Sequence, residues 1–309
     1  MSHEQRAMII ELMHNAPQSE DRTTAGQRTS FDSQFKDPEL GEGVTLRPTT
    51  LGGVEAIDIA VEGSDRPGLI LYLHGGGYVV GSANTGTFLA TALARRVGTP
   101  AVSLDYRLAP EAPFPAAVDD AYAAYRALLD GGTRASDIVL AGDSAGGGLV
   151  LAVLLSARRD GLPQPAGAVL FSPWTDLSLS GASMDARAQL DPIFDRDQVQ
   201  WYADQYLAGR DPLHELVSPA FADLTGLPPL LIQVGSYEVL LDDSVRLAAR
   251  AAESEVDVSL EIVAGVPHVF QLLAGNLDEA DEALDRAGQF LITRLDVERP
   301  AYEASRQAS

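Results

Sequence analysis

Between residues 69 and 263, short apolar runs alternate with segments of helical periodicity, and this alternation constrains the fold more than any other feature. Leu69-Ile70-Leu71-Tyr72-Leu73 is too short for a helix and lacks polar alternation, so it reads as a strand buried on both faces. Residues 101–104, 138–141, 168–171, 230–234 and 258–263 read as further strands, and 116–129, 145–159, 242–253 and 277–295 as helices. Repetition of this kind builds a mostly parallel central sheet with helices on both faces. Ahead of it, 44–46 and 54–61 alternate around Gly52-Gly53, the pattern of a hairpin that gives the sheet an antiparallel edge. The expected fold class is α/β.

Two segments break the rhythm. Met8, Ile9, Leu12 and Met13 share one face of a helix that Pro17 would stop, and 18–43 reads as polar and irregular. Between Asp176 and Leu224 there are helical pieces, including 198–207, without a convincing strand. An insertion that follows a strand's C-terminal end is placed to cover the crevice where open α/β sheets bind ligands. The expected organisation is an N-terminal part of a helical cap (1–43), a first part of the core (44–175), a cap insertion (176–224) and a second part of the core (225–309).

Charge and composition remove several functions. With 22 Lys and Arg against 44 Asp and Glu, the chain carries a formal charge of −22 and repels phosphate backbones and anionic membranes. No nucleic-acid or membrane partner is expected. The absence of cysteine excludes disulfides, thiolate chemistry and Cys-ligated metals. No run approaches the roughly 18 apolar residues of a membrane span, and the first residues, interrupted by Glu11, lack a secretory pattern, so a cytoplasmic location is expected. No phosphate loop, dinucleotide fingerprint or H-E-x-x-H motif occurs, so neither a cofactor nor a metal is expected.

The chemistry concentrates in four places. Gly142-Asp143-Ser144-Ala145-Gly146 matches G-x-S-x-G between a strand-like and a helix-like segment, the setting in which a sharp turn projects a nucleophilic serine. His74-Gly75-Gly76-Gly77 follows the buried strand, where backbone N–H groups can meet a developing oxyanion; Gly75, Gly76 and Ala145 are the expected donors. His74 itself reads as a structural hydrogen-bonder. Of five histidines, only His214 and His268 follow Ser144, as the order nucleophile, acid, histidine requires. His214 lies in the irregular insertion, whereas His268 follows a strand across a turn, so His268 is the expected base. The acid belongs after strand 230–234, where Glu238, Asp242 and Asp243 are candidates. Glu238 is favoured because the two aspartates begin a helix and have a ready role as caps. Asp105 to Glu111 reads as a structural loop with an ion pair at Arg107 or Glu111. Trp174, Phe194, Trp201, Tyr202 and Tyr206 suit either an acyl pocket or the insertion's own core.

Five segments together resemble the bacterial hormone-sensitive-lipase-like esterases, microbial esterase family IV: His74 to Tyr78, Asp105 to Glu111, Gly142 to Gly147, Ser172 to Asp176 and His268-Val269-Phe270. The resemblance implies an α/β-hydrolase fold with a helical cap, hydrolysis of short-chain carboxylic esters through an acyl-enzyme, a small-molecule ester as substrate, and frequent homodimers. Around the acid the family often has Asp-Pro-Leu-x-Asp-Glu-Gly; this chain reads Glu238-Val239-Leu240-Leu241-Asp242-Asp243-Ser244, with Glu238 in register with the catalytic Asp. The expected triad is Ser144, Glu238 and His268. Alternatives are amide or formamide hydrolysis by the same triad and, from another class, a non-catalytic receptor. Plant gibberellin receptors are similar to this family, but they lack the catalytic histidine that is present here as His268.

Overall fold

The computed structural model describes residues 2–15, 21, 23–35 and 39–296. Its sheet has eight strands in the order β1 (Val44–Leu51), β2 (Val54–Val61), β4 (Ala101–Leu104), β3 (Leu69–Leu73), β5 (Ile138–Asp143), β6 (Gly167–Phe171), β7 (Leu230–Gly235) and β8 (Val258–Val263). β1 and β2 form the hairpin and β2 runs antiparallel to β4; all remaining pairs are parallel. Gly52 and Gly53 make the two-residue turn with φ of 62° and 85°, a left-handed pair that L side chains resist.

Burial follows position in the sheet. β5, β6 and β7 are buried almost throughout, whereas the edge strands β1 and β8 expose alternate stretches. Alternation of side chains sends each central strand into two cores. Ile70 and Tyr72 pack with Leu89 and Leu93 of α3 (Thr87–Val97) and Leu284 and Leu291 of α9 (Asp278–Asp296). Leu71 and Leu73 face the opposite layer, built from α4 (Ala116–Asp130), α5 (Ala145–Arg159) and α8 (Leu241–Glu253) together with residues of the insertion. Burying that many leucine-sized side chains, each worth about 1.5–3 kcal/mol, is what holds the layers together.

Three local features differ from the sequence expectations. α3 was not anticipated, although Leu89, Leu93 and Val97 recur every fourth residue and Gly98 ends the helix at φ 74°. α2 (Thr24–Gln34) lies in a segment expected to be irregular. It buries no residue, so no apolar stripe announced it; the Thr23 side chain caps it by accepting the Gly26 N–H. α1 (Ser2–His14) is the expected N-terminal helix, yet Met8 and Leu12 are 58% and 64% exposed. Its Ile9 packs on the cluster of Val266, Phe270 and Leu277, while Arg6 donates to the Ala264 carbonyl and pairs with Glu279. Pro17 lies outside the described residues.

The insertion carries α6 (Ser183–Ala186) and α7 (Arg196–Leu207), the latter started by a capping box between Asp195 and Gln198. Asp242 and Asp243 do sit in the first turn of α8, but neither caps it. Asp243 Oδ2 accepts the N–H groups of Thr175 and Asp176 at 2.7 and 2.8 Å, and Asp242 Oδ2 accepts that of Ser183 at 3.0 Å. The two carboxylates fasten the insertion to the core instead. The Asp105–Glu111 loop is braced as expected, by Arg107 on Asp120 and by Glu111 on Arg28. Among the described residues, no helix is long and apolar enough to cross a membrane.

Candidate active site

Ser144 occupies the single residue between β5 and α5, with φ 53° and ψ −122°. A non-glycine residue held there stores strain, and the surroundings enforce it. Its N–H donates to the Phe171 carbonyl at 2.8 Å, and its carbonyl accepts from Gly147, Gly148 and Trp174. The flanking glycines are required by close approach. A Cβ on Gly142 would stand 2.5 Å from the Gly146 carbonyl oxygen, and one on Gly146 would stand 2.5 Å from that of His74. Strand, sharp turn and helix thus present the serine hydroxyl at a helix N-terminus, where unpaired N–H groups favour negative charge.

His268 lies in the loop after β8, in a wholly buried neighbourhood with Glu238. His268 Nδ1 meets Glu238 Oε2 at 2.7 Å, and Nε2, also buried, has no hydrogen-bond partner among the described residues. The other Glu238 oxygen accepts from the Ser172 hydroxyl at 2.7 Å and from the Gly235 N–H at 2.5 Å. Ser172 Oγ in turn accepts the Val269 N–H at 3.0 Å, so one hydroxyl ties the acid to the main chain beside His268. Burial opposes the charged imidazolium, but the negative charge and hydrogen bond of Glu238, with Asp191 and Asp143 adding to them, hold the His268 pKa above its ordinary value.

The glycine loop is tied down at its first glycine. The Gly75 N–H, one of the expected oxyanion donors, donates to Asp143 Oδ1 at 3.0 Å. Asp143 also accepts from the Tyr72 hydroxyl at 2.6 Å, which makes it an anchor for the loop. Gly76 and Gly77 donate to no acceptor among the described residues. His74 is structural, as expected: Nδ1 lies 2.6 Å from the Gly75 carbonyl, the ring stacks on Tyr106 at 4.2 Å, and burial lowers its pKa to about 4.

The insertion closes over this group. Phe194 sets its ring edge-on to His268 with centroids 5.3 Å apart, and Tyr202 packs against Gly77, where a Cβ would stand 2.5 Å from its ring. Trp174 and Tyr206 are buried core, while Phe194, Trp201 and Tyr202 keep part of their surface open. His214 is elsewhere, against Phe114, with its Nδ1 accepting the Leu216 N–H. Ser172, Asp143 and Asp191 escaped the sequence reading as site residues. Ser172 had a signal, since it directly follows the strand beside the serine turn; a carboxylate buried by tertiary contacts, such as Asp191, had none.

A parallel sheet that delivers a strained serine at a strand-to-helix turn defines an α/β-hydrolase. A family model described as alpha/beta hydrolase fold matches residues 70–272. An acetyl-hydrolase of Streptomyces hygroscopicus is 47% identical over 224 residues, 72% of this chain and 75% of the relative. An esterase of Acinetobacter venetianus is 38% identical over 256 residues, 82% of this chain and 84% of that one. The crystal structure of an esterase from the bacterial hormone-sensitive lipase family superposes with a TM-score of 0.90 at 41% identity, covering 94% of this chain and 98% of the other. This chain belongs to the bacterial hormone-sensitive-lipase family of α/β-hydrolase esterases.

Proposed function

We propose that the protein is a serine carboxylesterase acting on short-chain carboxylic esters through an acyl-enzyme on Ser144. One observation carries the reading: the Phe171 carbonyl accepts the N–H of the strained Ser144, and the next residue, Ser172, accepts the Val269 N–H beside a histidine whose Nδ1 is held by a carboxylate and whose Nε2 is left open. Glu238 keeps the proton on Nδ1, so Nε2 is the basic nitrogen. As Ser144 Oγ attacks the ester carbonyl, Nε2 takes its proton and the imidazolium is stabilised by Glu238. The oxyanion is received by the N–H groups of Gly76 and Ala145, with that of Gly77 next along the loop. Collapse breaks the ester C–O bond, and the imidazolium protonates the departing alcohol. Water then attacks the acyl-serine, with His268 as base again, releasing the acid and restoring Ser144.

The short acyl group is supported by the aromatic side chains of Phe194 and Tyr202 crowded over the site and by the acetyl-hydrolase activity named for a relative. The segments 1–43 and 176–224 act together as the cap in this reading. α1 touches Ala264 near His268, and Arg28 of α2 donates to the Val79 carbonyl beside the glycine loop.

The test is hydrolysis of p-nitrophenyl esters, acetyl through dodecanoyl, by wild type and Ser144→Ala side by side. Turnover should peak at short chains and fall about 10⁵- to 10⁶-fold in Ser144→Ala. A folded wild type inactive on every chain length overturns the reading.

A further inference from the structure

Asp191 is a buried carboxylate of the insertion that none of the steps above uses, only 6% exposed. Its Oδ1 accepts the N–H groups of Ile193 and Phe194 at 2.9 and 3.0 Å, and its Oδ2 accepts that of Val239 at 2.8 Å. Val239 follows Glu238 in the chain, and Phe194 is the residue whose ring lies edge-on to His268. One carboxylate therefore grips both the main chain of the acid loop and the segment that lays an aromatic ring against the base.

We propose that Asp191 is a positioning residue through which the insertion sets both the geometry and the basicity of His268. Through Val239 it fixes the peptide that carries Glu238, and through Phe194 it fixes the ring packed on the imidazole. Its charge adds to the support of the imidazolium that forms when Ser144 loses its proton. Three N–H donors converging on one carboxyl group favour its ionised form, against the burial that raises its pKa.

The negative groups that act on His268 come from three elements. Glu238, on the loop after β7, bonds to it directly, and Asp143, at the end of β5, is occupied by Tyr72 and Gly75. Asp191 alone comes from the insertion. The segment that would choose the substrate and the group that moves the proton are thereby coupled, an arrangement that rests on the serine-esterase reading.

Asp191→Asn tests this, because it keeps the size and an acceptor oxygen but removes the charge. The imidazole of His268 is followed by NMR titration, its ring signal identified by its loss in His268→Gln. The expected result is a His268 pKa lower by about half a unit or more in Asp191→Asn. The acid limb of kcat/KM for p-nitrophenyl acetate should move by the same amount, and kcat should fall about ten-fold with KM nearly unchanged.

A structural role alone would lower Tm and leave both pH profiles where they were; that outcome overturns the proposal. Should Asp191→Asn fail to fold, Asp191→Ser can still accept one local N–H without a charge, and the same shift is expected of it. If wild type hydrolyses no ester, the esterase reading falls, while the titration still decides the role of Asp191.

Discussion

Glu238 and Asp243 stand in one short segment after β7, and both are buried essentially completely, yet they do opposite things. Glu238 is surrounded by side chains that can move protons or hydroxyls: His268 on one oxygen, Ser172 on the other. Asp243 meets two backbone N–H groups, of Thr175 and Asp176, where the core runs into the insertion, with the carboxylate of Asp176 nearby. Burial, with that neighbouring charge adding to it against the two N–H bonds, pushes the Asp243 pKa up to about 8. Two carboxylates of similar burial thus divide into a chemical and a mechanical role, according to which partners the fold brings to them.

The largest expected break of this contrast is Glu238→Ala. It should lower kcat on p-nitrophenyl acetate about 10³- to 10⁴-fold, by losing the group that orients the imidazole, beside a loss of stability from the Ser172 hydroxyl and Gly235 N–H that it strands. Asp243→Ala should cost stability without the loss of kcat. It strands two buried N–H groups at the start of the insertion and should cost about 2–4 kcal/mol in denaturant unfolding, with kcat of the folded enzyme within a few-fold of wild type. A loss of kcat in Asp243→Ala equal to that in Glu238→Ala would erase the distinction.

A subtler difference lies in pH. Because the folded Asp243 binds its proton more tightly than the unfolded chain does, its contribution to stability is fully present below its unfolded pKa near 4 and is lost as pH rises through about 8. The unfolding free energy of wild type should therefore decline between about pH 4 and 8, and Asp243→Asn, which keeps an acceptor oxygen, should decline less over that window. Equal slopes would remove Asp243 as the cause. The smallest effect is expected from Glu238→Asp, which installs the family's commoner acid: kcat should stay within about ten-fold of wild type, the shorter side chain reaching His268 less well. A loss as deep as that of Glu238→Ala would mean that the longer reach is essential here.

Much of this architecture is legible in the amino-acid sequence. Continuous apolar runs identified the buried strands, because a strand covered on both faces has no polar side to alternate with. The serine turn, the glycine loop and the order of the histidines are local or sequential features, so they could be read in one dimension. α2 is not legible in the sequence, since none of its residues is fully buried, and α3 escapes even though its apolar residues keep a four-residue spacing. The helical start correctly placed Asp242 and Asp243 in the first turn of α8, but their partners lie 59 to 68 residues away, and no local rule foretells those.

Spacing and residue type are enough for the class of fold, the turn that strains Ser144 and the short list that holds the candidate base and acid. Partnership is settled only in the folded chain. Gly75 gives its N–H to Asp143, Ser172 joins Glu238 to the backbone beside His268, and Asp191 reaches from the insertion to the acid loop. Each of these links joins segments tens of residues apart, and a hydrogen bond forms only where folding brings donor and acceptor within about 3 Å.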